Sequence, residues 1–374
     1  MNILYLCTFY HQAMLFRDSM NALEKYGHNT LAFNAVFKGT KVEEQYIPIM
    51  DEKVIHKECF NFYDRYLYFY KQRKIYKAFL KEINVDNYDI IHSHTLMNGG
   101  WVVNRIKRKK SVPYVVSVRN TDLNDFLKFS FFRPVARKII TDANAVMFLS
   151  EVYKKQFLAK LFRNNNAKLN RIEKKCYVIP NGLESFWLDN IGKAKEISNS
   201  VINLICVGTI DKNKNMLSII NAIEILKKQG VIANLTIVGK EIDTSVYSEL
   251  QRSENVKLVP FQKKEELLKY YRDSDIFVLP SFKESFGRVY AEALTQGLPV
   301  IYSQNQGFDG FFLEGEVGYS VDPYNPNSIA DAVIKIIKKY KMLSNNCINN
   351  CKEFDWLKIA SKLEKMYKEA CINV

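Results

Sequence analysis

Two glutamates, Glu284 and Glu292, stand eight residues apart around a glycine in the stretch PSFKESFGRVYAEALTQGLPVI (280–301). Carboxylates at this spacing could accept hydrogen bonds from the hydroxyl groups of a ribose or a hexose. Taken alone, such a pair is more often a solvated loop acid and a surface helix acid. The residues around the pair therefore decide between these interpretations.

The surrounding residues predict a strand, a loop and a helix. The preceding run DIFVLPS predicts a strand that ends at Ser281, while Gly297 and Pro299 predict the end of a helix that begins near Phe286. The amides of residues 286–288 would then lie at a helix N-terminus, which favours a phosphate. Carboxylates beside a phosphate site indicate a nucleotide sugar.

A lysine in the stretch VGTIDKNKN (207–215) could contribute to the same site. This stretch predicts a strand that ends at Gly208 and a helix that opens near Lys214, so that an ammonium group and helix amides could contact a diphosphate. In isolation Lys214 would more often be a surface lysine. Its combination with the Glu284 region reverses that preference.

The elements that must position these residues follow one pattern, which occurs twice. Eleven short apolar runs, six before and five after a polar segment at 190–200, alternate with mostly helix-like stretches. This predicts βα units around parallel sheets. A chain of 374 residues also has the length of two domains. We predict an α/β protein with two Rossmann-like doubly wound domains, 1–189 completed by a helix in 354–374, and 199–350. Ligands are expected at the carboxyl ends of the strands, in a cleft between the domains.

The order of strand, Pro-Ser, Glu, Phe-Gly, Glu-Ala-Leu, Gly and Pro-Val-Ile in residues 280–301 resembles glycosyltransferase family 4. This is a group of retaining, nucleotide-sugar-dependent enzymes with the GT-B fold. Gly27-His28 and IPNG at 179–182 match in the same order, so the resemblance covers nearly the whole chain. It implies a donor-binding domain at 199–350 and an acceptor-binding domain at 1–189. It also implies sugar transfer from a nucleotide diphosphate, with UDP preferred, to a glycan or lipid-linked acceptor in bacterial cell-surface polysaccharide synthesis.

The resemblance assigns roles to particular residues. Lys214 matches the diphosphate lysine of the family, but Thr209 stands where the family usually has arginine, so Arg288 is a hypothetical replacement. Glu292 is expected to bind the ribose and Glu284 the transferred sugar. The predicted donor-binding residues are Gly208, Thr209, Lys214, Pro260, Glu284, Ser285, Phe286, Gly287, Arg288, Glu292 and Gly307. For Gly307, in a glycine-containing loop, an ordinary turn is an equal alternative.

The first half contributes polar residues that follow the run PYVVSV (113–118). Arg119 occupies a strand-end position where many family members have histidine, and Asp122 could act on the acceptor hydroxyl. The resemblance instead favours front-face displacement, in which the leaving phosphate takes the proton. The predicted catalytic residues are Glu284, Lys214, Arg119 and Asp122.

Metal binding is not predicted. His92 and His94 end one strand and lack an evident third ligand, which favours structural or acceptor-side histidines. The DSD sequence at 273–275 lies at the amino end of a strand, away from the predicted site. We therefore expect no metal and no cofactor besides the donor substrate.

The positive charge is concentrated in the first half. Residues 1–190 contain 30 Lys and Arg against 18 Asp and Glu, a net +12, whereas residues 191–374 contain 24 against 22, a net +2. A basic half favours an anionic partner, either a nucleic acid, a membrane or a phosphorylated acceptor. The segments 60–74 and 126–138 mix aromatic and basic residues, which suits a membrane interface and equally suits an aromatic core beneath a solvated basic face.

Other sequence features bear on location and on alternative functions. The seven cysteines form no CxxC pair, and no run approaches 18 apolar residues, so we expect a cytoplasmic protein with at most peripheral contact with an anionic membrane. A GT-B epimerase or phosphorylase is the alternative enzyme class. A nucleic-acid-binding protein is a weaker alternative because no DNA- or RNA-binding signature is present.

Overall fold

The structure is a computed structural model, and it describes residues 1–10, 14–40, 52–162, 166–197 and 200–372. The chain forms two compact units. The first unit comprises Met1–Leu149, Lys154–Glu184 and Trp356–Val374. The second unit comprises Ser150–Tyr153 and Ser185–Asp355.

The first unit contains a seven-stranded parallel sheet. Its strands are β1 (Asn2–Cys7), β2 (Asn29–Phe37), β3 (Val54–Phe60), β4 (Ile90–Ser93), β5 (Tyr114–Ser117), β6 (Ala145–Phe148) and β7 (Cys176–Val178). Its helices are α1 (Leu15–Glu24), α2 (Tyr68–Glu82), α3 (Gly100–Lys110), α4 (Arg133–Asp142), α5 (Glu151–Phe162), which begins in the second unit, α6 (Asn166–Glu173) and α14 (Trp356–Ile372). The strand order is β3-β2-β1-β4-β5-β6-β7.

The second unit contains a six-stranded parallel sheet. Its strands are β8 (Val201–Val207), β9 (Ile232–Val238), β10 (Val256–Val259), β11 (Ile276–Leu279), β12 (Val300–Ser303) and β13 (Gly318–Val321). Its helices are α7 (Ser185–Asp189), α8 (Met216–Lys228), α9 (Thr244–Gln251), α10 (Lys264–Arg272), α11 (Arg288–Thr295), α12 (Pro326–Lys338) and α13 (Tyr340–Asn350). The strand order is β10-β9-β8-β11-β12-β13.

The two α/β units with parallel sheets agree with the predicted fold class. Central strands such as β4, β5, β6, β11 and β12 are buried at every position, which explains why they read as continuous apolar runs in the sequence. The sequence did not predict β3 and β13. Both are edge strands, and β3 carries polar residues in VIHKECF while β13 begins with a glycine, so neither gives an apolar run.

Each sheet has one position where the strand order reverses. In the first unit this position lies between β1 and β4, and in the second it lies between β8 and β11. Loops that leave neighbouring strands in opposite directions open a crevice at the carboxyl edge, where ligands of this architecture bind. The loops after β8 and β11 contain Lys214 and Glu284.

The predicted terminal helix is present as α14, and it packs in the first unit. Met366 and Tyr367 are fully buried, and the Tyr367 hydroxyl lies 3.1 Å from that of Tyr5 and 2.7 Å from His92 Nδ1. Helix α7, which the sequence assigned to the first domain, lies in the second unit because Trp187 packs on Tyr271. In the described part of the chain, no helix combines the length and apolar composition that crossing a bilayer requires.

Candidate active site

An ion pair between Lys214 and Glu284 marks the carboxyl edge of the second sheet. Lys214 Nζ lies 2.8 Å from Glu284 Oε2, and the two side chains are only 18% and 14% exposed. The residues are 70 positions apart in sequence, but they follow the neighbouring strands β8 and β11. The sheet order therefore brings together the two residues that the sequence had assigned to one site.

Two asparagines that the sequence analysis did not select hold these loops together. The Asn213 amide donates to the Lys283 carbonyl at 3.0 Å, and its oxygen accepts from the Lys283 N–H at 3.1 Å. Asn215 donates to the Pro280 carbonyl at 3.0 Å and has a left-handed φ of 55°. The two asparagines in the stretch KNKN could have indicated this role, because asparagine tolerates left-handed conformations and bonds to neighbouring backbone.

The Lys214 side chain lies over Gly208, the first residue after β8. A Cβ atom at Gly208 would lie 3.5 Å from Lys214 Cε, so the lysine passes along the glycine at van der Waals distance. Thr209 Oγ1 donates to Asp211 Oδ2 at 2.6 Å, and the other oxygen of Asp211 accepts from Lys214 N at 3.1 Å. The Thr209 hydroxyl thus orders this turn, and Thr209 brings no cation to the site.

The loop before α11 adopts a conformation that requires glycine. Gly287 precedes the helix with a φ of 75°. The Ser285 amide donates back to Glu284 Oε1 at 3.1 Å, which fixes the carboxylate of the ion pair from its other oxygen. The first amides of a helix have no partner within the helix, so α11 offers N–H groups beside Glu284.

A second loop packs on this one through Gly307. The Gly307 amide donates to the Glu284 carbonyl at 2.8 Å, and Gln306 Oε1 accepts from the Glu284 amide at 2.9 Å. A Cβ atom at Gly307 would overlap the backbone of Ser285. Gly307 is therefore required by close backbone packing, which is a different reason from the ligand contact that its loop was predicted to make.

The side chains of Phe286 and Arg288, which flank Gly287, differ in burial and in contacts. Phe286 is 1% exposed and packs against the rings of Phe311 and Phe354, so its side chain anchors the loop in the core. Arg288 is half-buried at the first residue of α11. The Arg288 guanidinium has no hydrogen-bond or ion-pair partner among the described residues.

Glu292 and Pro260 are the remaining residues that were predicted to bind the donor. Glu292 lies on α11, half-buried, and its Oε2 accepts a hydrogen bond from the Tyr271 hydroxyl at 3.3 Å. Pro260 is exposed directly after β10, two strands away from β8, and its carbonyl accepts from Gln262 at 3.1 Å. Their contacts with a donor stay predictions.

In the first unit, Arg119 is held at the end of β5 by two partners. Its Nε donates to the His94 carbonyl at 3.2 Å, and one terminal nitrogen donates to Asn181 Oδ1 at 2.9 Å. Burial lowers the pKa of Arg119 to about 10, so the guanidinium stays charged at neutral pH. Asn181 belongs to the IPNG stretch and was not selected as a site residue.

Asp122 has a structural position that does not support contact with substrate. It is fully buried, and its two oxygens accept hydrogen bonds from the backbone amides of Leu96, Met97 and Arg119 at 3.2, 2.8 and 2.8 Å. Burial raises the pKa of Asp122 to about 6, against the lowering effect of these amides. The predicted catalytic role of Asp122 stays a prediction, and this burial does not favour it. In the structure, Asp122 positions the turns around Arg119.

The histidine pair is buried and neutral. His92 bonds through Nδ1 to the Tyr367 hydroxyl and through Nε2 to Ser117 Oγ, both at 2.7 Å, and burial lowers its pKa to about 3. His94 stacks on Tyr5 at a ring distance of 4.7 Å, and burial lowers its pKa well below the usual value. Within the described residues, no three His, Cys, Asp or Glu side chains form a group that could hold a metal ion.

Two family models match the chain, one in each half. The model for Glycosyltransferase Family 4 matches residues 14–185, and the model for Glycosyl transferases group 1 matches residues 189–354. Together they support the resemblance that residues 280–301 suggested.

Individual proteins of known name that are similar to the chain are also glycosyltransferases or share its fold. The chain is 25% identical to D-inositol 3-phosphate glycosyltransferase of Corynebacterium glutamicum (strain R) over 76% of this chain and 73% of that protein. It is 29% identical to the capsular polysaccharide biosynthesis glycosyltransferase CapM of Staphylococcus aureus over 56% and 58%. Sucrose-phosphate synthase from Thermosynechococcus elongatus superposes with a TM-score of 0.75 at 18% identity, over 98% of each chain. The predicted GT-B fold is confirmed.

Proposed function

Because the chain belongs to the glycosyltransferases of family 4, we propose that it transfers a sugar, with retention, from a nucleotide diphosphate to a glycan or lipid-linked acceptor. The observation that carries the proposal is the half-buried Lys214–Glu284 ion pair at the carboxyl edge of the second sheet, beside the N-terminus of α11. Cationic and hydroxyl-accepting groups are thereby adjacent, as a nucleotide sugar requires. UDP is the preferred nucleotide of the donor, and the resemblance to family members supports it.

In the proposed reaction, the bond between the anomeric carbon and the diphosphate oxygen breaks while the acceptor oxygen bonds to the same face of that carbon. Negative charge develops on the leaving diphosphate, where Lys214 and the first amides of α11 stabilise it. Arg288, whose guanidinium has no partner among the described residues, is the second cation. It replaces the arginine that family members usually have at the position of Thr209. The acceptor proton passes to a phosphate oxygen of the leaving group, since Asp122 is buried and engaged.

The ion pair also explains how the charge of the Lys214 ammonium is balanced when no donor is bound. Without donor, the Lys214 ammonium bonds to Glu284. An arriving diphosphate competes for the ammonium group, and Glu284 then becomes available to hydroxyl groups of the transferred sugar. Glu292 is proposed to bind the ribose. Since the chain supplies its own cations, we propose that transfer requires no metal.

The basic first half supports an acceptor with negative charge. A net +12 over residues 1–190 favours a phosphorylated or lipid-diphosphate acceptor. The likeness to a capsular polysaccharide enzyme and to an inositol phosphate enzyme is consistent with both classes. We propose a cytoplasmic enzyme of bacterial cell-surface polysaccharide synthesis, with peripheral contact at the inner face of an anionic membrane.

The proposal is tested with Lys214→Ala and with Lys212→Ala as the matched control. Lys212 lies in the same turn, but its side chain is 79% exposed. A UDP-sugar at a hundredfold its dissociation constant should stabilise the wild type by about 2.7 kcal/mol in a thermal-shift panel that also contains GDP- and ADP-sugars. Lys214→Ala should lower kcat by about 100-fold, because one preorganised donor is typically worth about 3 kcal/mol. Lys212→Ala should stay within about twofold.

Two results would count against the proposal. Near-normal turnover by Lys214→Ala would remove the diphosphate assignment, and a panel in which no nucleotide sugar shifts the melting temperature would remove the donor class. The same assay with excess EDTA should retain full activity. A loss of activity that Mg²⁺ or Mn²⁺ restores would contradict the proposed metal independence.

A further inference from the structure

An exposed cluster of apolar side chains on the first unit lies outside the proposed donor site. It combines residues 62–69, in a short 3-10 turn and the start of α2, with residues 129–131, just before α4. We name it the aromatic face, and its members are Tyr63, Tyr66, Leu67, Phe69, Phe129 and Phe131. Their exposed fractions range from 47% to 78%.

The aromatic face is fixed to the fold beneath it. Tyr68 is buried between the two segments, with its ring 5.0 Å from that of Phe132 and 6.0 Å from that of Phe126. Its hydroxyl donates to the Met97 carbonyl at 2.9 Å. The two segments enclose an open groove of about 490 Å³ between Tyr66–Tyr70 and Phe131–Phe132. The face is thus a preformed surface.

These exposures decide between the two interpretations that the sequence allowed. If the aromatic residues formed a core beneath a basic face, they would be buried. The five aromatic members of the face, together with Leu67, are instead exposed, and the Tyr68–Phe132 contact joins the two segments. Monomeric proteins in water rarely expose contiguous apolar clusters, and such clusters mark surfaces that another molecule or a membrane covers.

Basic residues flank the aromatic face. Residues 60–81 contain six Lys and Arg, of which Lys71 is buried and donates to Asn98 Oδ1 at 2.8 Å. The one acid in this range, Asp64, is 8% exposed and pairs with Lys74 at 2.6 Å. Residues 126–138 contain four Lys and Arg and no acid. The Arg65 guanidinium lies 3.6 Å from the centre of the Phe62 ring, and Lys128 Nζ lies 5.0 Å from that of Phe129. Cationic groups therefore lie next to the apolar side chains.

We propose that the aromatic face docks the first unit on an anionic lipid bilayer. Tyrosine and phenylalanine rings favour the boundary between headgroups and acyl chains, while Lys and Arg beside them bind lipid phosphates. A second copy of the chain is a poorer occupant, because it would bring the same basic residues against themselves. This inference rests on the proposed function in one respect only, namely that the membrane would be the source of the acceptor. Lipid binding itself is measured without donor or acceptor.

The test uses sedimentation of the full chain with vesicles of phosphatidylcholine alone or with 30% phosphatidylglycerol as the chosen composition. The variant Leu67→Ser/Phe131→Ser removes two apolar members of the aromatic face. The control Ile242→Ser/Leu313→Ser removes two comparably exposed residues of the second unit, which are 59% and 79% exposed. We expect at least a tenfold loss of partitioning in the first variant and less than twofold in the control. Wild-type binding to anionic vesicles should exceed that to neutral vesicles, and salt should weaken it.

Several outcomes would overturn the inference. These are no binding to anionic vesicles, equal binding to neutral ones, or wild-type partitioning by Leu67→Ser/Phe131→Ser. A concentration-dependent dimer that this variant abolishes would assign the face to a second copy. A cooperative thermal melt like that of the wild type would show that the variant is folded, and a nucleotide-dependent shift of that melt would show that its donor site is intact. If the wild type binds vesicles but shows no such shift, the donor proposal fails while this one stands.

Discussion

At the scale of single residues, the same side-chain type serves opposite purposes in the two units. Glu284 is a partly accessible carboxylate paired with the Lys214 ammonium group, for which the diphosphate of the proposed donor would compete. Asp122 is a carboxylate without access, and it is saturated by backbone amides. Both follow strands and both looked functional in sequence. Burial and the hydrogen-bond partners separate the proposed substrate-binding acid, Glu284, from the positioning acid, Asp122.

Asp122→Asn tests the positioning role. The NH2 group of the asparagine would be a second donor placed against a backbone N–H, which would then have no acceptor. We therefore expect the free energy of unfolding to fall by about 1–3 kcal/mol. The raised pKa of Asp122, about 6, means that its ionisation costs stability as pH rises from about 4 to 6. The wild type should therefore lose up to about 1.4 kcal/mol per pH unit, relative to the variant, across this window.

Denaturant titrations of both proteins at several pH values between 4 and 7 measure this effect. The difference in unfolding free energy should be largest at the acidic end, and other titrating groups cancel because both proteins share them. Parallel pH profiles would contradict the buried, amide-bound state of Asp122. A variant as stable as the wild type would do the same.

At the scale of elements, the proposed donor site depends on contacts between the loops that follow neighbouring strands. Side chains link the loops after β8, β11 and β12 to neighbouring backbone. Asn213 and Asn215 donate to carbonyl groups, and Gln306 accepts from the Glu284 amide. Gly307 allows its loop to lie against the backbone of Ser285. The position of Glu284 is therefore a property of three loops together.

Gly307→Ala tests this dependence on packing. The added methyl group would overlap backbone atoms, which cannot move like a flexible side chain, so we expect a loss of about 1–3 kcal/mol in stability. Displacement of Glu284 should also weaken donor binding by at least about tenfold, or about 1.4 kcal/mol. Thermal melts with and without UDP-sugar measure both effects.

Gln304→Ala is the matched control for this loop, because Gln304 is exposed and its backbone makes the bond to Val321. It should behave like the wild type. If Gly307→Ala kept both stability and donor affinity, the close approach to Ser285 would not position Glu284.

At the scale of the whole molecule, the last helix of the chain stabilises the first unit. Helix α14 buries Leu363, Met366 and Tyr367 there, and Tyr367 joins Tyr5 on β1 and His92 on β4. The chain thus passes through the second unit before its first unit is complete. The +12 charge and the aromatic face also belong to the amino-terminal half, whereas the predicted donor-binding residues lie in the second unit.

Met366→Ala tests the contribution of α14 to the first unit. Met366 is fully buried, and truncation of such a side chain costs about 2–5 kcal/mol. Met342→Ala, at a residue that is 46% exposed on α13, should cost less than about 0.5 kcal/mol. Hydrogen exchange should show the loss of protection in β1 and β4, with β8 and β11 less affected. Uniform loss in both sheets would indicate that the units unfold as one.

The sequence by itself determined the α/β class, the division into two halves and eleven of the thirteen strands that the described residues form. It also supplied the residue types of the proposed donor site. It could do so because buried parallel strands are continuous apolar runs and because strand-end loops carry the polar residues. Only the tertiary structure decided that Lys214 pairs with Glu284, that Asp122 is inaccessible and that the aromatic face is exposed. Strand order and burial depend on contacts between residues far apart in the chain, and local patterns of residues do not contain that information.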